Sequence, residues 1–425
     1  MLYYEKGSTE LSLTDKQIKE AVTASIEATG KSNKILVIPP DITRLHSGAG
    51  RITEMIWEEY RDKVSHVLPA LGTHAPMTAN EKTRMFGKVP HDIIHDHDWR
   101  NDIVKLGDVP GAYLDSVTGG LISYEWPLQV NKLINKHSDS LIVSVGQVVP
   151  HEVMGLANHN KNVFIGCGGA EAINKSHYLS AVYGMEKIMG RVSNPAREVL
   201  NFGESAFAEH LNILYILTVV SSDNKGNPET KGLFTGTGPE CLIKAASLSS
   251  KLNITKLDKP PAKIVVYLDP DLYRSTWLGN KAIYRTRMAI ADGGELVIIA
   301  PGVEKFGEDS EIDRLIRKYG YRTSGEIKNL VKQNKDLQDN LAVAAHLIHG
   351  SPEKRFEVTY CPGKLKEDEV RQAGYGFCKI EDALKKYDVE NLKNGYNTLA
   401  GGEEIYYISN PGQGLWQTKG GKVNT

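Results

Sequence analysis

Short apolar runs rich in β-branched residues alternate along the chain with longer segments of helical periodicity. Continuous apolar runs of this kind are typical of strands buried on both faces. In the first part of the chain we predict strands at Lys34–Pro39, Val67–Leu71, Leu141–Val145, Asn162–Ile165 and Leu211–Val220. The helices predicted among them are Thr14–Thr29, Ile52–Arg61, Ala170–Met189 and Pro239–Leu252. This alternation predicts an α/β fold whose mainly parallel sheets are flanked by helices.

A break in this pattern divides the chain into two predicted domains. The segment Lys256–Pro261 (KLDKPP) combines charged residues with two consecutive prolines, which interrupt regular structure. The alternation of strand and helix patterns restarts after it. We therefore predict a smaller α/β domain over residues 262–348 and a larger domain over 1–258, to which 350–425 returns. The active site is expected in the cleft between the two domains.

Composition narrows the classes of protein that fit. The 51 Lys and Arg residues nearly balance 52 Asp and Glu residues, so the chain lacks the basic surface typical of nucleic-acid or membrane binding. The longest apolar run, Leu211–Val220, is about half the roughly 20 residues that cross a bilayer. Four widely spaced cysteines suit a reducing compartment. We predict a cytoplasmic protein without nucleic-acid or membrane partners, whose oligomeric state the sequence leaves open.

Polar residues follow three of the predicted strands at the point where each strand ends. Asp41 and Arg44 follow the first, His74 follows the second and His151 follows the third. Taken singly, Asp41 is typical of a helix N-cap and each histidine of a loop or core residue. Ligands of open parallel sheets, however, bind beyond the carboxyl ends of the strands. An arginine matches a carboxylate and histidines move protons near pH 7, so together these residues favour one catalytic site.

A glycine-rich segment precedes the helix that is predicted to begin at Ala170. Gly166, Gly168 and Gly169 place free backbone amides at a helix start, where an anion such as phosphate is favoured. The segment is neither a GxGxxG nor a Walker motif, so on its own it indicates a nucleotide only weakly. His177 lies two turns into the helix and, taken alone, is an ordinary helical histidine.

A second histidine cluster has the spacing of a zinc protease but not its context. His91 and His95 form an HxxxH pattern, with Asp92 where the general base Glu belongs. Pro90 precedes the pattern, and HDHDW follows it as a polar segment. We therefore expect no zinc site here and expect His95 and His97 to be exposed.

Four ordered motifs make the sequence resemble the nickel-dependent lactate racemase family, over residues 34 to 300. The matching segments are D-x-T-R at Asp41-Ile42-Thr43-Arg44, G-x-H-x-P-x-T at Gly72 to Thr78, a histidine–lysine–histidine series at His151, Lys161 and His177, and Lys281 twelve residues before Gly293-Gly294. The resemblance implies the two-domain α/β fold that the pattern already predicts.

The resemblance also implies a cofactor and a reaction. The cofactor is a nickel pincer nucleotide, a pyridinium mononucleotide whose sulfur groups hold nickel, made by separate cofactor-biosynthesis enzymes. The reaction inverts C2 of a 2-hydroxy acid by reversible hydride transfer. The implied roles are Lys161 as covalent thioamide tether, His177 as nickel ligand, Asp41, Ile42, Thr43 and Arg44 as cofactor-lining residues, Arg44 and Lys281 as carboxylate-binding residues, and His74 and His151 as acid/base residues.

Two positions depart from the lactate enzymes and bear on the substrate. Trp277 stands where those enzymes have Tyr, and Leu278 where they have Gln. The substrate is therefore expected to be lactate or another 2-hydroxy acid, larger or polyhydroxylated, with Trp277 and Leu278 beside it. Two other interpretations stay open. One is a hydrolase or lyase with a metal bound by His74, His151 and His177, and the other is a binding protein that captures hydroxy acids without turnover.

Overall fold

In a computed structural model, which describes residues 1–31, 33–222 and 227–419, the chain divides into two compact units. The first comprises Met1–Tyr183 and Lys187–Asn253, and the second Gly184–Glu186 and Ile254–Thr425. Among the helices of the described residues, none is both long and apolar enough to cross a bilayer.

Strands and helices alternate through the first part of the chain. The strands are β1 (Leu2–Gly7), β2 (Ile35–Ile38), β3 (Val64–Val67), β4 (Ile103–Val109), β5 (Trp126–Asn131), β6 (Leu141–Gln147), β7 (Pro150–His151), β8 (Gly155–Leu156), β9 (Asn212–Ser222) and β10 (Pro228–Gly236). The helices are α1 (Asp15–Ala28), α2 (Ala49–Tyr60), α3 (Ala79–Phe86), α4 (Gly111–Thr118), α5 (Lys132–Lys136), α6 (Asn160–Phe164), α7 (Ala170–Tyr183), α8 (Met185–Ile188), α9 (Pro195–Phe207) and α10 (Pro239–Leu252). Short 3-10 helices lie at Ile42–Ser47, Arg61–Lys63 and His91–Ile93.

The main sheet of the first unit has the order β1-β10-β9-β6-β2-β3 among the described residues. Strands β3, β2, β6 and β9 are parallel, and β10 and β1 continue the sheet antiparallel. Alternate residues of β2 enter two different cores, Leu36 and Ile38 on one face and Ile35 and Val37 on the other. The sheet is therefore covered on both faces, and β2 and β6 end at the same edge, which places Asp41 and His151 near each other.

The second unit is built in the same way. Its strands are β11 (Ile254–Leu257), β12 (Lys263–Tyr267), β13 (Glu295–Ala300), β14 (Glu357–Pro362), β15 (Gly376–Phe377), β16 (Gly395–Thr398), β17 (Glu404–Ile408) and β18 (Leu415–Thr418). Its helices are α11 (Thr276–Gly279), α12 (Lys281–Thr286), α13 (Ser310–Tyr319), α14 (Ser324–Gln333), α15 (Lys335–Gln338), α16 (Leu341–His349), α17 (Glu367–Gln372) and α18 (Ile380–Lys386), with a 3-10 helix at Pro411–Gln413. The mixed α/β fold with parallel-rich sheets is as predicted.

The expected return of residues 350–425 to the first domain is wrong. The sheet of the second unit has the order β15-β14-β13-β12-β17-β16, so strands after residue 350 lie on both sides of β12 and β13. The reason is hydrogen-bond register, since β14 pairs with β13 from Glu357 onward and β17 pairs with β12 at Tyr406. The first unit ends at Asn253, a few residues before the proline-rich break.

Three predicted elements differ from the structure. Asn162–Ile165, predicted as a strand, lies largely in helix α6, because a short apolar run that is buried all round fits either element. Strand β3 ends at Val67, where the prediction began. The helix predicted to reach Met189 is interrupted at Gly184, whose φ of 108° no right-handed helix allows.

Candidate active site

Asp41 and His74 form a hydrogen-bonded pair at the carboxyl end of β2. Asp41 occupies the N-cap position of the 3-10 helix but makes no capping bond with its side chain. Its Oδ2 lies 2.6 Å from His74 Nδ1, and its Oδ1 accepts a hydrogen bond of 2.6 Å from the Thr43 hydroxyl. A buried carboxylate accepts rather than donates, so the His74 proton lies on Nδ1. In the neutral ring the lone pair of His74 is therefore on Nε2, as a general base requires.

His151 is held in the opposite tautomer. Its Nδ1 accepts the backbone N–H of Val153 at 3.1 Å and that of Met154 at 3.5 Å. Since an N–H only donates, the proton of the neutral ring lies on Nε2. That atom is 4.0 Å from Glu152 Oε1. The two histidines thus present different atoms, a lone pair on His74 Nε2 and an N–H on His151 Nε2.

Lys161 is mostly buried in the first turn of α6. Burial, followed by the positive charge of Arg44, lowers the pKa of Lys161 to about 8. A pKa of about 8 leaves about one molecule in ten with a neutral amine at pH 7. The amine is consequently far more nucleophilic than that of an exposed lysine, which suits a covalent attachment.

His177 is a neutral imidazole on α7. Burial lowers the pKa of His177 to about 4. Its Nδ1 lies 2.7 Å from the carbonyl oxygen of Ile173, which can only accept a hydrogen bond, so Nδ1 carries the proton. The Nε2 lone pair is left for a ligand, and a carbonyl that fixes the tautomer is the usual second partner of a metal-binding histidine.

The structure brings most of the predicted residues of the first unit together. Arg44, Asp41 and Glu152 all influence the charge of Lys161, which in turn influences His177. Arg44 departs from helical geometry within its 3-10 helix (φ −115°, ψ 28°), and Ile42 is buried beside it. A nucleophilic amine, a neutral imidazole and an arginine in one place fit the tether, the metal ligand and the anionic groups of the implied cofactor.

The glycine-rich start of α7 does not form the expected anion cradle. The backbone N–H of Ala170 donates to the Trp99 carbonyl at 2.9 Å, and that of Ala172 donates to Gln129 Oε1 at 3.2 Å. Gly169 lets Gln129 approach, since a Cβ there would lie 2.4 Å from its Oε1. The helix start is capped by the protein's own oxygen atoms, so the prediction of a phosphate at this place is wrong.

The HxxxH histidines do not lie on a helix that could bind zinc. His91 begins a 3-10 helix that ends at Ile93, and Ile94 is already extended. His97, expected to be exposed, is 3% exposed, because its Nε2 lies 3.0 Å from the Gly168 carbonyl and its Nδ1 3.0 Å from the Asn131 amide. His95 is half-buried against the ring of His66.

No group of three or more His, Cys, Asp or Glu side chains in the described part of the chain is arranged to hold a metal ion. His74, His151 and His177 therefore do not form the three-ligand centre that a hydrolase with a bare metal uses.

The remaining predicted residues belong to the second unit. Lys281 is the first residue of α12 and is 9% exposed, and Leu278 is buried. The indole of Trp277 packs against the ring of His346, with centroids 4.5 Å apart and the planes tilted by 31°. Both nitrogens of His346 are engaged, Nδ1 by the Tyr284 hydroxyl at 2.7 Å and Nε2 by the Tyr321 hydroxyl at 2.8 Å. This network fixes the orientation of the indole of Trp277, which precedes Lys281 by four residues in the sequence.

Sequence reasoning missed the residues that support the site from behind. Glu152 follows His151 directly, and this adjacency was a usable signal. Arg197 and Glu204 lie on α9, which carries no motif, and only the fold brings them to the segment before Lys161.

Comparisons with known proteins agree with this geometry. A sequence model of the lactate racemase N-terminal domain matches residues 8–189, which include the D-x-T-R, histidine and Lys161 segments. A crystal structure of a Thermotoga maritima protein is 25% identical and covers 98% of this chain and 100% of its own, with a TM-score of 0.81. The lactate racemase apoprotein of Thermoanaerobacterium thermosaccharolyticum is 16% identical and covers 98% and 99%, with a TM-score of 0.67.

No curated protein matches the sequence. The second structural match supports the fold, and the sequence model supports the family. The resemblance found in the motifs is confirmed: residues 8–189 match the model of the lactate racemase N-terminal domain family.

Proposed function

We propose that the chain is a racemase or epimerase that inverts C2 of a 2-hydroxy acid, with a nickel pincer nucleotide attached at Lys161. One observation carries the proposal: within the matched residues, a mostly buried lysine of lowered pKa shares its surroundings with a neutral histidine that keeps its Nε2 lone pair. A neutral amine is the form that becomes acylated, and a neutral imidazole is the form that binds metal. When bound, the group supplies the acceptor for the hydride of C2.

The arginine and lysine side chains orient the substrate. Arg44 offers a planar pair of N–H donors that matches a carboxylate, and Lys281 offers a second cation. A cation bound to the carboxylate limits how the hydroxy acid can rotate in the site. Orientation of this kind lowers the entropic cost of the reaction.

The histidines handle the hydroxyl proton. His74 accepts it at Nε2, and Asp41 stabilises the imidazolium that forms through the 2.6 Å contact at Nδ1. His151 donates a hydrogen bond from Nε2 to the substrate oxygen, as a neutral imidazole does at other carbonyl sites. To serve as the base for the opposite enantiomer, His151 must lose its Nε2 proton, for which Glu152 at 4.0 Å is an acceptor.

The test is an intact mass of the denatured protein after co-expression with cofactor-biosynthesis enzymes. We expect an added mass of a mononucleotide that is absent from Lys161→Ala and present in Lys175→Ala, a control on the neighbouring helix α7. Single enantiomers of lactate and of larger, polyhydroxylated 2-hydroxy acids are then followed by chiral separation. An unmodified protein, under conditions that load a known racemase, would overturn the proposal.

The same experiments separate the two other interpretations. A bare-metal hydrolase or lyase would bind metal without nucleotide phosphorus, and the described residues hold no three-ligand group for it. A binding protein would be stabilised by hydroxy acids, yet its cofactor-loaded form would convert neither enantiomer.

A further inference from the structure

Arg197 is a fully buried cation in α9, with 1% of its surface exposed. Burial lowers the pKa of Arg197 to about 10, so the guanidinium stays charged at neutral pH. A buried charge is costly unless hydrogen bonds satisfy it, and an apolar residue of similar size is often at least as stabilising. A buried arginine is therefore a candidate for a task beyond stability.

The hydrogen bonds of Arg197 converge on the segment before Lys161. Its Nη2 donates to the carbonyls of Leu156 at 2.6 Å and Met154 at 3.4 Å. Its Nη1 donates to the carbonyl of Asn158 at 3.4 Å and to the side-chain oxygen of Asn160. One side chain thus holds four residues of the segment from Met154 to Asn160, which ends one residue before Lys161.

The backbone held in this way is strained. Asn158 has a φ of 66° and His159 a φ of 59°, a region that few residues other than glycine adopt. For His159 the ψ of −140° adds to this, because the combination is largely restricted to glycine. Such a conformation persists only where the surroundings enforce it, and it sets the direction in which α6, with Lys161, leaves the turn.

A second set of contacts fixes the same turn from the sheet side. The His159 ring stacks on Tyr215 with centroids 3.8 Å apart. Glu204 accepts hydrogen bonds from the Tyr215 hydroxyl at 2.6 Å and from the Asn160 amide at 2.8 Å. Asn160 therefore links the arginine to the carboxylate.

We propose that Arg197 is a positioning residue for Lys161, which enforces the strained turn at Asn158 and His159 so that the lysine amine is presented to the cofactor. This inference rests on the proposed function for the role of Lys161. In addition, Arg197 adds to the effects of burial and Arg44 that lower the pKa of Lys161.

The experiment removes the guanidinium and then removes the strain. Arg197→Met is compared with Arg191→Met, an exposed arginine before the same helix. In the Arg197→Met background, His159→Gly is compared with His159→Ala, because both delete the imidazole and only glycine adopts the turn without strain. Arg197→Lys, which keeps the charge but not the fork, replaces Arg197→Met if that variant fails to fold.

Two measurements are made on each variant: amide hydrogen exchange of residues 154–162 by mass spectrometry, and the fraction of chains carrying the Lys161 adduct. We expect Arg197→Met to raise exchange in this segment alone and to lower loading about tenfold, the size that unsupported backbone strain predicts. Glycine, and not alanine, at position 159 should restore most of the loading.

Normal loading and exchange in a folded Arg197→Met protein would overturn the proposal, as would equal behaviour of the glycine and alanine variants. The exchange measurement does not need the cofactor. If the wild-type protein takes no adduct while Arg197→Met still raises hydrogen exchange in residues 154–162, the proposed function fails and the role of Arg197 in holding the turn stands.

Discussion

The carboxylate of Asp41 sets the tautomer of His74, so replacing it tests whether His74 is the base. Asp41 is 4% exposed, and its oxygens accept hydrogen bonds of 2.6 Å from the Thr43 hydroxyl and from His74 Nδ1. Asparagine keeps the size of the side chain but has only one acceptor for two donors. Where its amide nitrogen faces His74, Nδ1 must accept and the ring proton moves to Nε2. That is the atom on which the proposed base needs a lone pair.

The size of the effect follows from this change of tautomer. A hydrogen bond to a charged group contributes about 1.5–3 kcal/mol, which is about 10- to 150-fold in rate if it acts mainly in the transition state. Loss of a positioned general base typically costs about 10²–10⁴-fold. We therefore expect Asp41→Asn to lower kcat/KM by about 10²–10⁴-fold per loaded active site.

The assay measures initial rates from each pure enantiomer by chiral chromatography, normalised to the adduct found by intact mass. The two enantiomers of a racemase substrate have equal energies, so kcat/KM must fall by the same factor in both directions. Asp41→Asn combined with His74→Ala should be no slower than His74→Ala alone, because both changes remove one function. Activity of Asp41→Asn within about threefold of normal, well below the loss of a base, would refute the tautomer argument.

Three further predictions concern pH, substrate binding and close packing. Burial lowers the pKa of His159 to about 3 from an ordinary 6.5, so the unfolded chain binds this proton at a higher pH than the folded chain and stability is lost as pH falls below about 6.5. The variant His159→Gln should flatten that decline when thermal unfolding midpoints are measured against pH. An equally steep decline in the variant would contradict the prediction. Lys281→Met should raise KM about 10- to 150-fold, the size of one hydrogen bond to a charged group, with adduct formation unchanged; an unaltered KM would remove Lys281 from the substrate site. Gly155→Ala places a Cβ 2.0 Å from the Arg191 carbonyl oxygen at a φ of 74°, whereas Gly30→Ala has a similar φ of 66° with no atom within 4 Å. Chemical denaturation should therefore show a greater loss of unfolding free energy for Gly155→Ala. Equal losses in the two variants would contradict the close approach.

Much of the fold could be predicted because its signals are local. Strands β2, β6 and β9 are buried along most of their length, as their continuous apolar runs predict. The errors arise where the deciding interaction is distant. The strand pairing that draws β14 and β17 into the second unit is set by register with β13 and β12, and no local pattern near residue 350 records it.

The candidate site likewise contains positions that the local sequence predicts and contacts that only the fold creates. The positions of Asp41 and His151 beyond strand ends follow from the parallel sheet, and the spacing of Lys161 and His177 could be read directly. The supporting contacts could not, because Arg197 reaches Leu156 across 41 residues. Nor does the sequence around the glycines show that Gln129 occupies the helix start at Ala172.

The two histidines illustrate what only geometry supplies, and they lead to a last prediction. From the sequence, His74 and His151 are equivalent acid/base residues after strand ends. In the structure, a carboxylate leaves His74 a lone pair on Nε2, whereas two backbone amides leave His151 an N–H there. Glutamine can replace an N–H donor but not a base, so His74→Gln should lose about 10²–10⁴-fold in kcat/KM.

If His151 serves only as an N–H donor, His151→Gln should lose about tenfold or less, provided that the amide reaches the same oxygen. The rates are measured per loaded site, as for Asp41→Asn, and His151→Ala serves as the control that removes the donor altogether. If His151→Gln is as slow as His151→Ala and as His74→Gln, then His151 must act as a base. In that case its Nε2 proton has to leave before catalysis, and Glu152 becomes the side chain whose replacement by Gln should be as damaging as the loss of His151 itself.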